Sequence, residues 1–284
     1  MKICRLARNG GSAHNSRINT SRNLQKLQDN MSLVEIETRG AIAIIRLNRP
    51  DQRNAVNVAL MNELAEAMAR LESDDALTVA ILTGAGRIFC AGMDLGAFAA
   101  GERPGITDPA HFAGFVSLKR SKPIIAAVNG GAIAGGFEIA LACDMIVAAE
   151  GAIFSLPEVK RGIMAAGGGA FRLPRRLPSA IANEMLMTGD PITAERALAF
   201  GLVNQVVPAE ELVDAALALA GRIAVNAPLA LRLTLEIARN SAALGETEAW
   251  AANDAAWNRI DTSEDALEGA RAFKEKRQPV WTGR

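Results

Sequence analysis

The 284-residue chain reads as an α/β layered fold with a helical C-terminal region, on three observations. Short apolar runs bounded by turn residues alternate with segments of helical periodicity, the mark of strands interleaved with helices. Half of the residues are hydrophobic, aromatics make up only 4% and Tyr is absent. The core is therefore expected from Ala, Leu, Ile and Val, whose size suits close helix approach. Beyond residue 209 the chain becomes a series of Ala- and Leu-rich helical stretches, too regular for a linker.

The elements follow in order. Leu33, Val34 and Ile36, then residues 41–47, predict a hairpin across Arg39-Gly40. Val58, Met61, Leu64, Ala65, Met68 and Leu71 recur at helical spacing. Buried strands are expected at 78–82, 123–128 and 144–148, with helices between them starting near His111 and Gly135. Residues 97–122 carry Gly101, Pro104, Gly105 and Pro109, so this segment should begin as an irregular loop before a helix resumes. Its length suits a pocket wall, a lid or an ordinary surface excursion. A helix starts at Thr193, with Glu195 in an imperfect capping pattern, and stops at Gly201. Helices then cover 210–225 and 228–244, and two more surround Trp250 and Phe273. The organisation is thus an extension over 1–30, an α/β core over 31–225 and a helical region over 226–284.

Charge and cysteine content exclude several classes of function. The net charge is zero, but residues 1–30 hold six basic side chains against Asp29 alone, which leaves the remainder net acidic at −5. That balance gives no electrostatic footprint for nucleic acid. The Asn-, Ser- and Arg-rich first 30 residues have the composition of a disordered or processed segment, either an organellar transit peptide or a non-functional extension upstream of a start at Met31. Composition favours the second. Cys4, Cys90 and Cys143 make an odd count without metal-ligand spacing, and no secretory apolar region precedes them, so a reducing cytoplasm is expected, or an organellar matrix if the extension is a transit peptide. No apolar run reaches the roughly 18 residues of a membrane span.

Two carboxylates carry the chemistry. Glu138 follows Gly135-Gly136-Phe137 at the start of a helix, whose free N–H groups suit a developing oxyanion. Glu158 follows Ser155-Leu156-Pro157 on a loop. Taken singly, Glu138 also fits a residue that complements the helix dipole, and Glu158 a solvated loop charge. Apolar neighbours such as Ile133, Phe137 and Leu156 are expected to raise a nearby carboxyl pKa. A dinucleotide fingerprint is rejected, because Phe89 stands where Gly84-x-Gly86 would need its third glycine and no helix opens there. Gly167-Gly168-Gly169 lacks the Lys-Ser/Thr ending of a phosphate loop, and two distant histidines make no metal cluster. The three glycines are expected to let backbone pack against the Glu158 loop. Asp144 reads as a structural acceptor at a strand start, Cys90 and Cys143 as buried small hydrophobes, and His111 as incidental.

Five ordered motifs then resemble one family: Leu47-Asn48-Arg49-Pro50 with Arg53-Asn54-Ala55; Phe89-Cys90-Ala91-Gly92-Met93-Asp94; Asn129-Gly130 through Glu138; Pro157-Glu158; and Gly201-Leu202-Val203. From about Met31 to Arg284 the chain is similar to the enoyl-CoA hydratase/isomerase, or crotonase, superfamily. The resemblance implies a spiral of repeated strand-strand-helix units and C-terminal helices that assemble a homotrimer or a dimer of trimers. It implies an acyl-CoA thioester ligand and no separate cofactor or metal. The thioester oxygen would be held by the backbone N–H groups of Met93 and Gly135. Glu138 would activate water for attack on C3 of a trans-2-enoyl-CoA, and Glu158 would deliver a proton to C2, within acyl-CoA breakdown. Arg53, Ala91, Met93, Phe273 and Lys276 would hold the CoA handle, the last two from a neighbouring subunit. Two departures remove phosphate contacts: Gly96 stands where many relatives have Lys, and Asp51 where a cation is common. Pro157-Glu158-Val159-Lys160-Arg161-Gly162 and Arg172-Leu173-Pro174 also resemble carnitinyl-CoA dehydratases. An isomerase fits less well, since it has no need of a water-activating carboxylate. A non-catalytic acyl-CoA- or RNA-binding relative is the reading from a different class.

Overall fold

Two sheets, wound by one spiralling chain, organise the molecule. The computed structural model describes residues 32–105 and 109–284, and the expectations for residues 1–30 lie outside the described residues. Strands β1 (Val34–Arg39) and β2 (Ile42–Leu47) pair antiparallel, with Arg39 opposite Ile42 across the expected turn. Helix α1 (Val58–Ser73) follows, and the Asn57 side chain caps it by accepting the Leu60 N–H at 3.0 Å. Its buried stripe, Leu60, Leu64, Ala67, Met68 and Leu71, has the spacing of one helix face.

The chain then repeats a strand-strand-helix unit three times. The first pass is β3 (Val79–Gly84), β4 (Ile88–Cys90) and the short α2 (Leu95–Ala99). The second is β5 (Ile124–Val128), β6 (Gly131–Ile133) and α3 (Gly135–Ala142). The third is β7 (Met145–Ala149), β8 (Ile153–Ser155), the 3-10 turn Pro157–Arg161 and α4 (Gly169–Arg176). First strands stack on first strands and second strands on second, all parallel. The larger sheet closes with β10 (Gln205–Val207), in the order β1-β2-β3-β5-β7-β10. The smaller runs β4-β6-β8-β9, where β9 (Ile192–Thr193) is antiparallel to β8. This is the spiral that the resemblance implies.

Strands β3 and β5 are buried along their whole length because both faces of the larger sheet are covered. Side-chain alternation divides the core in two. Ala80, Leu82, Ile124, Ala126 and Val128 face one cluster with Phe89, Phe137 and Phe154. Val79, Ile81, Ile125 and Ala127 face the other, against Leu212, Ala216 and Ala220 of α7 (Leu212–Ala224). Between β8 and α7 lie α5 (Ser179–Thr188) and α6 (Ala194–Ala199), and Thr193 caps α6 by accepting the Arg196 N–H. Helices α8 (Pro228–Asn240), α9 (Glu246–Ile260) and α10 (Glu264–Glu275) complete the chain. Trp250, Trp257 and Phe273 stand exposed on them, Phe273 at 88%. Among the described residues, no single helix is long and apolar enough to cross a membrane.

Three expectations are corrected. No α-helix starts near His111. His111, Ala113 and Gly114 all adopt positive φ, and only a 3-10 turn, Phe112–Gly114, forms. Residues 112–116 are all buried, and five consecutive positions run right round a helix, so no single helix face could bury them. The loop expected to begin at 97 begins later, because Asp94 caps α2 by accepting the Gly96 and Ala97 N–H groups. The helix expected over 228–244 ends at Asn240 and continues only as a 3-10 turn, Ser241–Ala243.

Candidate active site

The register of the smaller sheet sets the site. Cys90 on β4 pairs with Ala132 on β6, so Met93 and Gly135 each lie three residues beyond paired positions. Ile133 on β6 pairs with Ser155 on β8, so Glu138 and Glu158 leave adjacent strand ends. The Ala134 N–H donates to the Ser155 carbonyl at 2.8 Å and ties the start of α3 to the segment before Glu158. Parallel strands thus deliver two backbone amides and two carboxylates to one edge.

The amides point where a ligand oxygen can reach them. Val56 donates to the Gly92 carbonyl at 2.8 Å and accepts from the Asp94 N–H at 2.9 Å, so this parallel bridge turns the intervening Met93 N–H the opposite way. Gly135 is the first residue of α3, where a helix N–H has no intrahelical partner. A Cβ built on Gly92 would lie 3.0 Å from the Gly135 nitrogen, which brings the two amides side by side. The Phe112 ring walls the same spot, within 2.6 Å of where a Gly135 side chain would begin.

Sequence reasoning missed how the Met93 segment is held. Asn54 is wholly buried at φ +55. Its Oδ1 accepts the Arg49 N–H at 2.9 Å, and its Nδ2 donates to the Ala85 and Ile88 carbonyls at 2.9 and 2.7 Å. Arg49 Nη1 donates to the Ala55 carbonyl and to Asp94 Oδ2, at 2.9 and 2.6 Å. Burial works against the Asp94 charge, but the Ala97 and Gly96 N–H groups and Arg49 outweigh it and hold its carboxyl below the usual range. The motif that suggested a family is, in space, a clamp on residues 91–94.

Both carboxylates are buried, Glu138 at 3% and Glu158 at 7% exposure, and their partners differ. Glu138 Oε1 accepts the Gly169 N–H at 2.9 Å. Burial raises its pKa, and the Gly169 and Gly167 N–H groups and Arg172 pull it back. Glu158 Oε2 has no partner among the described residues. Burial, aided by the charge of Glu138, pushes Glu158 up to about 7 despite a hydrogen bond from its own amide. The glycine run is also reassigned. A Cβ on Gly167 would lie 2.5 Å from Glu138 Oε2, so these glycines admit backbone to Glu138 first, while Gly169 also touches Leu156.

The remaining residues divide. Arg53 and Ala91 are brought together, the Ala91 N–H donating to the Arg53 carbonyl at 3.0 Å. The Arg53 side chain is exposed and makes no ion pair among the described residues. Phe273 and Lys276 sit at the far end of α10, and no hydrogen bond or ion pair joins them to Arg53 or Ala91. Asp144 accepts the Ile124 N–H at 2.8 Å and a fork from Arg239, a structural role at the start of β7. Cys90 and Cys143 are buried thiols pushed up to about 12 by desolvation.

A family model described as enoyl-CoA hydratase/isomerase matches residues 37–284. The chain is 47% identical over 258 residues to a carnitinyl-CoA dehydratase of Proteus mirabilis, covering 88% of this chain and 98% of that one. It is 48% identical to a solved enoyl-CoA hydratase from Mycobacterium tuberculosis, with a TM-score of 0.86 over 89% of this chain and 100% of that one. A solved carnitinyl-CoA hydratase from Mycobacterium avium matches at 42% identity and a TM-score of 0.71, over 90% and 100%. The chain belongs to the enoyl-CoA hydratase/isomerase, or crotonase, superfamily.

Proposed function

We propose that this crotonase-superfamily protein is an enoyl-CoA hydratase that adds water syn across the C2=C3 bond of a trans-2-enoyl-CoA to give the 3-hydroxyacyl-CoA. The observation that carries the reading is the pair of buried carboxylates with unlike partners beside two amides that have no partner among the described residues. Glu138, supplied with N–H donors and a nearby guanidinium, is the better base. Glu158, with a buried oxygen that has no partner among the described residues and a pKa near 7, keeps its proton on about half of the molecules at neutral pH and is the better acid.

In the reaction Glu138 takes a proton from water as its oxygen attacks C3. The C2=C3 electron pair moves toward the thioester, and the oxyanion is stabilised by the Met93 and Gly135 N–H groups. The proton of Glu158 passes to C2. Glu138 ends protonated and Glu158 ionised, and proton return through water resets the pair. A preorganised pair of donors contributes about 3 kcal/mol to such a step. No group beyond the coenzyme A of the substrate is called for. Arg53, Ala91 and Met93 border the CoA handle in this reading, and Phe273 and Lys276 complete it from a neighbouring subunit of a homotrimer or a dimer of trimers. The exposed Trp250, Trp257 and Phe273 suit such an assembly.

The name of the 47%-identical relative favours a second reading, dehydration of carnitinyl-CoA. The same groups run in reverse: Glu158 removes the C2 proton and Glu138 protonates the departing C3 hydroxyl. The test is kcat/KM for hydration of crotonyl-CoA and longer trans-2-enoyl-CoAs against carnitinyl-CoA dehydration, with Glu138→Gln and Glu158→Gln alongside. Preference for crotonyl-CoA supports the first reading, and preference for the carnitinyl thioester the second. Inactivity of a folded, CoA-binding wild type on both would overturn the hydro-lyase reading.

A further inference from the structure

No step of that reaction uses Arg172, on the first turn of α4, yet its guanidinium bridges two parts of the site. Nη1 donates to the Gly167 carbonyl at 3.0 Å and Nη2 to the Val116 carbonyl at 2.5 Å. Gly167 belongs to the loop that supplies N–H groups to Glu138. Val116 belongs to the buried segment that also places Phe112 against Gly135. These stretches lie about fifty residues apart in sequence, 56 between Val116 and Arg172, and neither carbonyl sits inside a helix or strand. A planar fork suits two acceptors better than a single ammonium does.

The surroundings show that an ion pair is not what holds this side chain. Among the described residues, Arg120, Arg175 and Arg176 repel its charge and Glu138 attracts it. Glu138 is faced in turn by the Gly169 and Gly167 N–H groups, by Arg172 and by Glu158. Gly168 leaves the guanidinium room, since a Cβ there would lie 2.0 Å from Nη1, and the half-exposed Phe171 ring lies 5.1 Å from its carbon. A cation is kept beside the base by its carbonyl contacts.

We propose that Arg172 is a positioning residue: it locks the Glu138-supporting loop to the pocket wall and keeps a positive charge beside the base. The proposal rests on the hydro-lyase reading above. Arg172→Lys retains the charge without the fork, and Arg172→Met removes both at similar length. With the substrate that the wild type prefers, Arg172→Met should lower kcat about 30- to 100-fold with KM within about threefold, because geometry and proton transfer suffer rather than binding. The acidic limb of its kcat profile should move to higher pH. Arg172→Lys should restore the position of that limb but only part of kcat. Infrared titration of the carboxyl band, assigned with Glu138→Gln, reads the same charge effect without turnover, so failure of the hydro-lyase reading does not obscure the result. An unmoved Glu138 titration in folded Arg172→Met, or full wild-type kcat in Arg172→Lys, would overturn the proposal. If Arg172→Met does not fold, Arg172→Lys alone decides between a required fork and an incidental one.

Discussion

Glu138 and Glu158 leave neighbouring strands of one sheet and are buried to nearly the same degree, yet more donors reach the first than the second. Glycine N–H groups and Arg172 converge on the first. The second has a buried oxygen with no partner among the described residues and feels the charge of the first. Burial by itself would make both reluctant to ionise. What separates them is backbone polarity, delivered to one carboxylate by a glycine loop that no other residue type would let so close.

Removing either member should have the largest effect. Glu138→Gln and Glu158→Gln should each lower kcat about 10²- to 10⁴-fold, the range of lost general acid or base catalysis. Steady-state kinetics would show the double variant losing far less than the product, since the two act as a unit. Equal, small losses in kcat alone would dissolve the distinction between base and acid.

Stability reads the comparison without substrate. The carboxyl of Glu158 is raised from 4.5 to about 7 on folding. Below pH 4.5 it is protonated in both states and costs nothing. As pH rises toward 7 the unfolded chain loses its proton first, so the native protein loses stability, and above 7 the loss is complete. Glu158→Gln should therefore be more stable than wild type above pH 7, by about 3 kcal/mol at most from the size of the shift, with the difference vanishing near pH 4. Urea melts across this pH range would show it, and a constant difference would mean that burial is not what raises the group.

A narrower cut is Gly167→Ala, which drives a methyl group to 2.5 Å from Glu138 Oε2. It should lower kcat about 10- to 30-fold by displacing the base, while the limb assigned to Glu158 stays in place. The smallest effect is expected from Lys160→Ala. Lys160 lies in the Glu158 turn, but its partner Asp190 is exposed, so the pair contributes less than about 1 kcal/mol. A shift of the Glu158 limb to higher pH in that variant would show that the turn's positive charge holds the carboxyl down against burial.

Much of this was legible along the chain. The Arg39-Gly40 hairpin, the α1 stripe and the three buried strands lie within about two residues of expectation, because turn chemistry and hydrophobic period are local signals. Glu138, Glu158, Met93 and Gly135 were named from motifs and do converge. Asn54 and Arg172 were not singled out as supports, although both lie in quoted motifs, because their partners are carbonyls that no residue code reveals. The stretch after His111 was misread for a related reason: its apolar residues suit a helix, but all five of residues 112–116 are buried, which no one helix face allows, and the chain takes positive φ at His111, Ala113 and Gly114 instead.

The sequence by itself determined the alternation of strands and helices, the carboxylates available and the glycines that admit backbone beside them, all properties of composition and near neighbours. Tertiary structure decided which carboxylate those glycines serve, which amides remain free and what clamps them. Those outcomes depend on the register between parallel strands some forty residues apart in the chain, Cys90 beside Ala132 for one. Register is a property of the closed spiral, and no local segment contains it.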